Sequence, residues 1–266
     1  MPYTLNIEDR KIAAEKETFN NFLNVLTVVG VEKLTAYKIK KVVVIEDQLS
    51  PSQVISLAHR KNVDCVAQNS LQTLDEKIKI LARLDQDINL YFDENFSFFT
   101  EPTENHKIIF DSETSRQKII DMVFHRLQID IEASRSVSLK SALEELIMNT
   151  QIDARSLTDS KENKKSVLLI EKAEKIVAIS LIDDYGTLIY SKFLNQIESC
   201  LNIGVSASIN HNRQRGAGIG SSIIFNAIDS LYLGCIAGKK TRVTAIIPFG
   251  ISDKIQEKLQ KSIFLI

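Results

Sequence analysis

From Lys11 to Val29, apolar residues Phe19, Phe22, Leu23, Leu26 and Val29 recur at three- and four-residue steps, which predicts an amphipathic helix ending at Gly30. The pattern then changes. Lys41-Val42-Val43-Val44-Ile45 is a short β-branched run, Pro51 opens a helix through His59, and Val63-Asp64-Cys65-Val66-Ala67 reads as the next strand. Strand, helix and strand in this order form a βαβ grammar. A further helix is expected over Leu74 to Leu84, a strand at Ile88-Asn89-Leu90-Tyr91-Phe92, and another at Lys107-Ile108-Ile109-Phe110 after the proline-containing link from Thr100 to Asn105. A domain boundary is placed near residue 110.

In the second half, Ser112 and Ser115 are candidate caps for a helix through Leu127, and Ser138 for one that carries Leu143, Leu146 and Ile147 on a single face. Ser166 to Ile170 and Lys175 to Ile182, joined by a charged turn, read as a hairpin. A glycine-opened helix follows. The strand Arg242 to Ile247 is stopped by Pro248, and a terminal helix is expected over Ser252 to Ser262. The expected fold class is therefore α/β with α+β character: residues 1–110 as a small α/β module and residues 111–266 as a second domain.

With 33 basic and 34 acidic residues the charges nearly cancel, so no global field draws the chain to nucleic acid or to anionic lipid. Cys65, Cys200 and Cys235 lie far apart without metal-ligand spacing and are expected as reduced thiols. The first ten residues lack an apolar signal core, and no stretch approaches the roughly 20 apolar residues of a membrane span. A cytoplasmic protein is expected.

Three segments carry candidate chemistry. In Arg215-Gly216-Ala217-Gly218-Ile219-Gly220-Ser221-Ser222, alternate glycines precede an apolar helix, where bare backbone N–H groups and a positive dipole end can hold phosphate. Glycines also make ordinary turns, so the run acquires meaning from its company. Glu145 and Asn149, four apart, share one helical face: an amide oxygen suits Mg²⁺ and a carboxylate can orient or deprotonate a nucleophile, although a solvated polar stripe looks the same. Ile182-Asp183-Asp184-Tyr185-Gly186 runs a strand into acid and glycine. A carboxylate there can accept from an exocyclic amine, and an ordinary strand-ending turn is the alternative. Between them, Asn210-His211-Asn212-Arg213-Gln214-Arg215 is a polar, doubly basic segment able to close over phosphate, or a plain solvated loop.

In order, Glu145-Leu146-Ile147-Met148-Asn149, Asp184-Tyr185-Gly186, Gly216-Ala217-Gly218-Ile219-Gly220 and Lys240-Thr241-Arg242-Val243 resemble the N box, G1 box, G2 box and closing strand of the GHKL ATPase superfamily. That superfamily includes gyrase B, MutL, sensor histidine kinases and anti-sigma-factor serine kinases. The resemblance spans roughly residues 112 to 250. It implies a Bergerat-type α/β sandwich binding ATP and Mg²⁺. Asn149 would ligate the metal, and Glu145 would be the general base. Asp184 would bind the adenine amine and Gly186 would lie beside the base. Gly216, Gly218 and Gly220 would line the triphosphate with Arg213 and Arg215 near its charge, Ser221 could add a hydroxyl to that cradle, Thr241 would support base recognition, and Asp153 would stand behind the N box. Leu188 occupies the place of the family's second G1 glycine, and Ser221 that of a residue often apolar in the kinases.

Of His59, His106, His125 and His211, only His125 sits on an expected upstream helix, and its neighbours lack the acid and proline of a phosphoacceptor box, so autophosphorylation is not expected. Glu46-Asp47 and Asp93 follow expected strands in a manner that resembles a receiver's acidic pocket, which makes residues 1–110 a receiver-like or other small regulatory module. The implied activity is an ATPase or a kinase that transfers phosphate to a protein partner, with a homodimer compatible; the alternative is a non-catalytic adapter that binds a partner through a GHKL fold. A gyrase-like machine is the less expected reading, since no transducer domain is expected after the region.

Overall fold

Pro51 fixes φ at the first helical position and Ser50 exchanges capping bonds with Gln53, so helix α1 (Pro51–Ala58) starts where its sequence dictates. It connects two parallel strands, β1 (Val42–Ile45) and β2 (Cys65–Gln68), as the βαβ pattern predicts. This computed structural model describes residues 42–45, 49–59, 63–100, 102, 104–130, 136–154, 157, 164–203, 219–251, 255 and 258–266. The helix expected before Gly30 and the acids Glu46 and Asp47 lie outside the described residues.

Helix α2 (Leu74–Gln86) is opened by a second capping box, between Thr73 and Glu76. Ile88–Phe92, expected as a strand, is a 3₁₀ turn instead. Asp87 accepts from the Asn89 amide and starts the turn, and Tyr91 points into the protein rather than along a ladder. Strand β3 (Glu104–Phe110) and helices α3 (Arg116–Leu127) and α4 (Val137–Met148) follow, α4 passing directly into a π-helical turn at Asn149–Ala154. The hairpin is β4 (Ser166–Lys172) and β5 (Ile176–Asp183). Then come α5 (Tyr190–Ile203), α6 (Gly220–Ala227), β6 (Ser230–Ile236), β7 (Lys240–Pro248) and β8 (Ser262–Leu265).

Ser262 begins strand β8 where the last turn of a terminal helix was expected. Its four residues are buried because β8 inserts between β2 and β6, antiparallel to the first and parallel to the second. The resulting mixed sheet has the order β1-β2-β8-β6-β7-β5-β4-β3 and is not closed into a barrel. It runs unbroken through the boundary expected near residue 110, since β3 pairs with β4 and β2 with β8.

Alternation along the central strands sorts side chains to two faces. Val177, Ile179 and Leu181 of β5 and Ala245 and Ile247 of β7 join a core with Ile55 of α1, Val123 of α3, Leu143 of α4, Ile197 of α5 and Phe225 of α6. On the other face Ala178, Tyr232 and Ile246 meet Leu81 of α2 and the aromatic strap Tyr91, Phe96, Phe98 and Phe99. Each strand of the centre is thus covered on both sides. Among the described residues no helix is long and apolar enough to cross a membrane. Cys65, Cys200 and Cys235 are unbridged.

A buried ionic network ties the early and late segments together. Lys77 and Asp229, both fully buried, are 3.3 Å apart, and the Asp229 carboxylate also accepts from the Leu71 amide. Lys261 donates to the carbonyls of Asn226 and Ile228, capping the C-terminal end of α6. Burial pulls the Lys261 ammonium down to about 8, against partial support from Asp229. The unfolded chain keeps that proton to an ordinary lysine value, so it binds more protons than the folded protein above pH 8. Unfolding free energy is therefore expected to rise between about pH 8 and 9.5 by up to about 1.4 kcal/mol per pH unit from this group. Urea titrations across that range check it: Lys261→Met should flatten the slope, and an equal slope in the variant would contradict the assignment.

Candidate functional site

Glu145 reaches the start of the glycine-opened helix. Helices α4 and α6 pack side by side on the β5–β7 face, and the half-buried Glu145 carboxylate lies so close to the Gly220 Cα that a Cβ there would overlap Oε2. Two segments separated by about 75 residues in sequence, one acidic and one glycine-bearing, are thereby adjacent in space. Asn149 caps α4, its amide donating to the Glu145 and Leu146 carbonyls, and its side chain is half-buried. The π turn that begins at Asn149 is anchored by Gln151, whose Nε2 donates to the Asp111 and Thr114 carbonyls at 2.9 and 2.7 Å. Such turns widen a helix locally and are frequent at functional sites. Asp153 lies within that turn; its side chain is outside the described residues, as are Arg213, Arg215, Gly216 and Gly218.

The sheet contributes a second pair. Asp183 ends β5 on the inward side set by Val177, Ile179 and Leu181, and its cross-strand partner is Thr241 of β7, on the same face as Val243 and Ala245. Both are buried. Asp183 Oδ1 accepts from the amides of Tyr185 at 2.9 Å and Gly186 at 3.4 Å. Burial raises its carboxyl above the usual aspartate range, opposed by those amides and by the nearby Thr241 hydroxyl. Thr241 Oγ1 itself makes no hydrogen bond of ordinary geometry among the described residues. A buried carboxylate beside a buried hydroxyl suits a ligand that presents an amine beside a ring nitrogen, as an aminopurine does.

Asp184, the carboxylate that the G1 resemblance singles out, is exposed, with its nearest cation Lys240 at 3.9 Å and its carbonyl accepting from Lys164. The acid beside Thr241 is its neighbour. Sequence reasoning missed Asp183 because β5 is buried on both faces and its apolar run carries no alternation to show which acid turns inward. Gly186 sits at φ +63°, and a Cβ there would meet the Ile236 carbonyl and the Gly238 and Lys239 amides of the β6–β7 turn. The turn between β6 and β7 thus accounts for this glycine. Leu188 packs against the helix-side core. Ser221 is buried and donates to Gln196 Oε1 of α5 at 2.8 Å, which commits its hydroxyl to the protein.

An amide oxygen such as that of Asn149 is the kind of donor that a partly hydrated hard cation takes. Among the described residues, no three His, Cys, Asp or Glu side chains cluster to hold a metal, so the rest of such a shell would come from ligand oxygens and water. On the acidic receiver-like reading, Asp93 is engaged locally, its Oδ1 accepting from the Asn95 amide at 2.8 Å. Compared with known proteins, the chain matches no family model and no curated sequence.

Proposed function

We propose that the protein binds Mg·ATP on the helix-bearing side of its sheet in the manner of the GHKL ATPases and hydrolyses it or transfers its phosphate to a protein partner. The observation that carries this reading is a double convergence: Glu145 against Gly220 where α4 meets α6, and Asp183 against Thr241 where β5 meets β7, both on one face.

In this reading Asp183 and Thr241 take the amino edge of the base. Asn149 supplies an amide oxygen to the metal, which screens phosphate charge when bound. Glu145, held at the start of α6, accepts the proton of the attacking water or hydroxyl. Asp183 and Thr241 are buried, which strengthens their electrostatics relative to those of a solvated pair.

Calorimetric titration with Mg·ATP and Mg·ADP, followed by ATP turnover, tests the assignment. Asn149→Asp should weaken Mg·ATP binding, whereas Glu145→Ala should leave binding in place and lower turnover by about 10²–10³-fold, the range for loss of general-base catalysis. Asp183→Asn should weaken binding more than Asp184→Asn; the reverse order would return the base contact to Asp184. Equal turnover in wild type and Glu145→Ala would remove the catalytic role and leave the second reading, an adapter that holds a partner through the same fold. The exposure of Asp184, and Leu188 in the place of the second G1 glycine, favour that second reading.

A further inference from the structure

Gly220 occupies a helix-starting position at which nothing in its backbone calls for glycine: it is the first residue of α6, and it is absent from the residues with positive φ. Helix propensity favours alanine over glycine, so the local backbone gains nothing from the glycine. What an added methyl would meet is the end of the Glu145 side chain. It would overlap Oε2 and stand 3.1 Å from Cδ and 3.8 Å from Cγ, so the three atoms nearest to it all belong to Glu145. The overlap is with the tip of a flexible side chain, so the fold would absorb a methyl by turning the carboxylate aside.

We propose that Gly220 is a positioning residue whose missing Cβ seats the Glu145 carboxylate at the start of α6. This rests on the catalytic reading of Glu145 given above and adds to it a different role for the glycine. A glycine lining phosphate would, when substituted, weaken nucleotide binding. A glycine seating the base would leave binding intact and slow the chemical step, because a displacement of about 1 Å in a reacting group costs about 10²-fold in rate.

The experiment uses the full chain with Gly220→Ala, Glu145→Asp and the double variant. Expected for Gly220→Ala are an unchanged or raised Tm, a Kd for Mg·ATP within about threefold of wild type, and a kcat lowered about 10²-fold. In the Glu145→Asp background the shorter carboxylate already clears the methyl, so adding Gly220→Ala should cost less than about threefold more in kcat. A kcat loss of the same size in both backgrounds, or a loss expressed in Kd, would overturn the seating role. The ¹³C carboxyl resonance of Glu145, assigned by its disappearance in Glu145→Gln, gives a readout that needs no nucleotide. It should move on Gly220→Ala, and a stationary resonance would overturn the inference by itself. A moved resonance with no ATP binding or turnover in wild type would instead overturn the proposed function and keep the contact.

Discussion

Arg242→Met is expected to lower the unfolding free energy by about 3–5 kcal/mol, the cost of breaking a buried, fully bonded charge site. Arg242 is completely buried on the strap side of β7. Nη1 donates to the carbonyls of Tyr91 and Asp93 at 2.7 and 2.8 Å, Nη2 to the Phe96 carbonyl and Ser180 Oγ, and Nε to Thr244 Oγ1. The rings of Tyr91, Phe96 and Phe98 surround it at 5.2–5.8 Å. Among the carboxylates Glu171 supports its charge most, itself buried and bonded to Ser97 Oγ and the Phe98 amide. Methionine would fill much of the volume but leave the buried Tyr91 and Phe96 carbonyls without the donors that Arg242 gives them and Glu171 without its cation. Urea unfolding measures the loss, and faster amide exchange over residues 88–99 should accompany it. A loss under about 1 kcal/mol would mean that the strap carbonyls reach water and that Arg242 is not what fastens them.

Gly234→Ala is the second large effect, expected to cost about 2–3 kcal/mol or more through overpacking. Gly234 lies opposite Arg242 on β6, and a Cβ there would overlap Cε1 and Cδ1 of Tyr91 and crowd Phe92 Cζ at 3.2 Å. Tyr91 has nowhere to retreat. It is fully buried, its hydroxyl donates to the Tyr232 carbonyl at 2.8 Å, and it stands edge-on to Phe92 and Phe98. The glycine is there because an aromatic ring takes the place of its side chain. Shrinking the ring should relieve the clash: Tyr91→Leu is expected to be destabilising alone but to lose little more when Gly234→Ala is added. Additive losses in urea midpoints would place the strain elsewhere.

These two residues share a consequence for function. By fixing the strap to one face of the sheet, Arg242 and Gly234 leave the opposite face to the helices that bear Glu145, Asn149 and Gly220. Substitutions on the strap side should therefore act on stability and, under the proposed function, leave Mg·ATP affinity little changed at temperatures where the variants remain folded.

Local chemistry determined much of what the sequence showed by itself. Pro51 with Ser50, and Thr73 with Glu76, are start signals complete within four residues, so α1 and α2 begin where their sequences say. The β4–β5 hairpin and the Glu145–Asn149 helix were legible for the same reason, each being specified by neighbours in the chain. Distant partners decided the rest. Ile88–Phe92 has the composition of a strand, but it folds as a turn because Tyr91 is claimed by Gly234 and Arg242 from far along the sequence. Ser262–Leu265 becomes a strand only because a slot between β2 and β6 is open to it. The same holds at the site: which acid of Asp183-Asp184 turns inward is set by pairing with Thr241, since a strand covered on both faces leaves no alternation to read. Spacing could put a carboxylate and a glycine on two helices, and only the packing of α4 against α6 could bring them within contact.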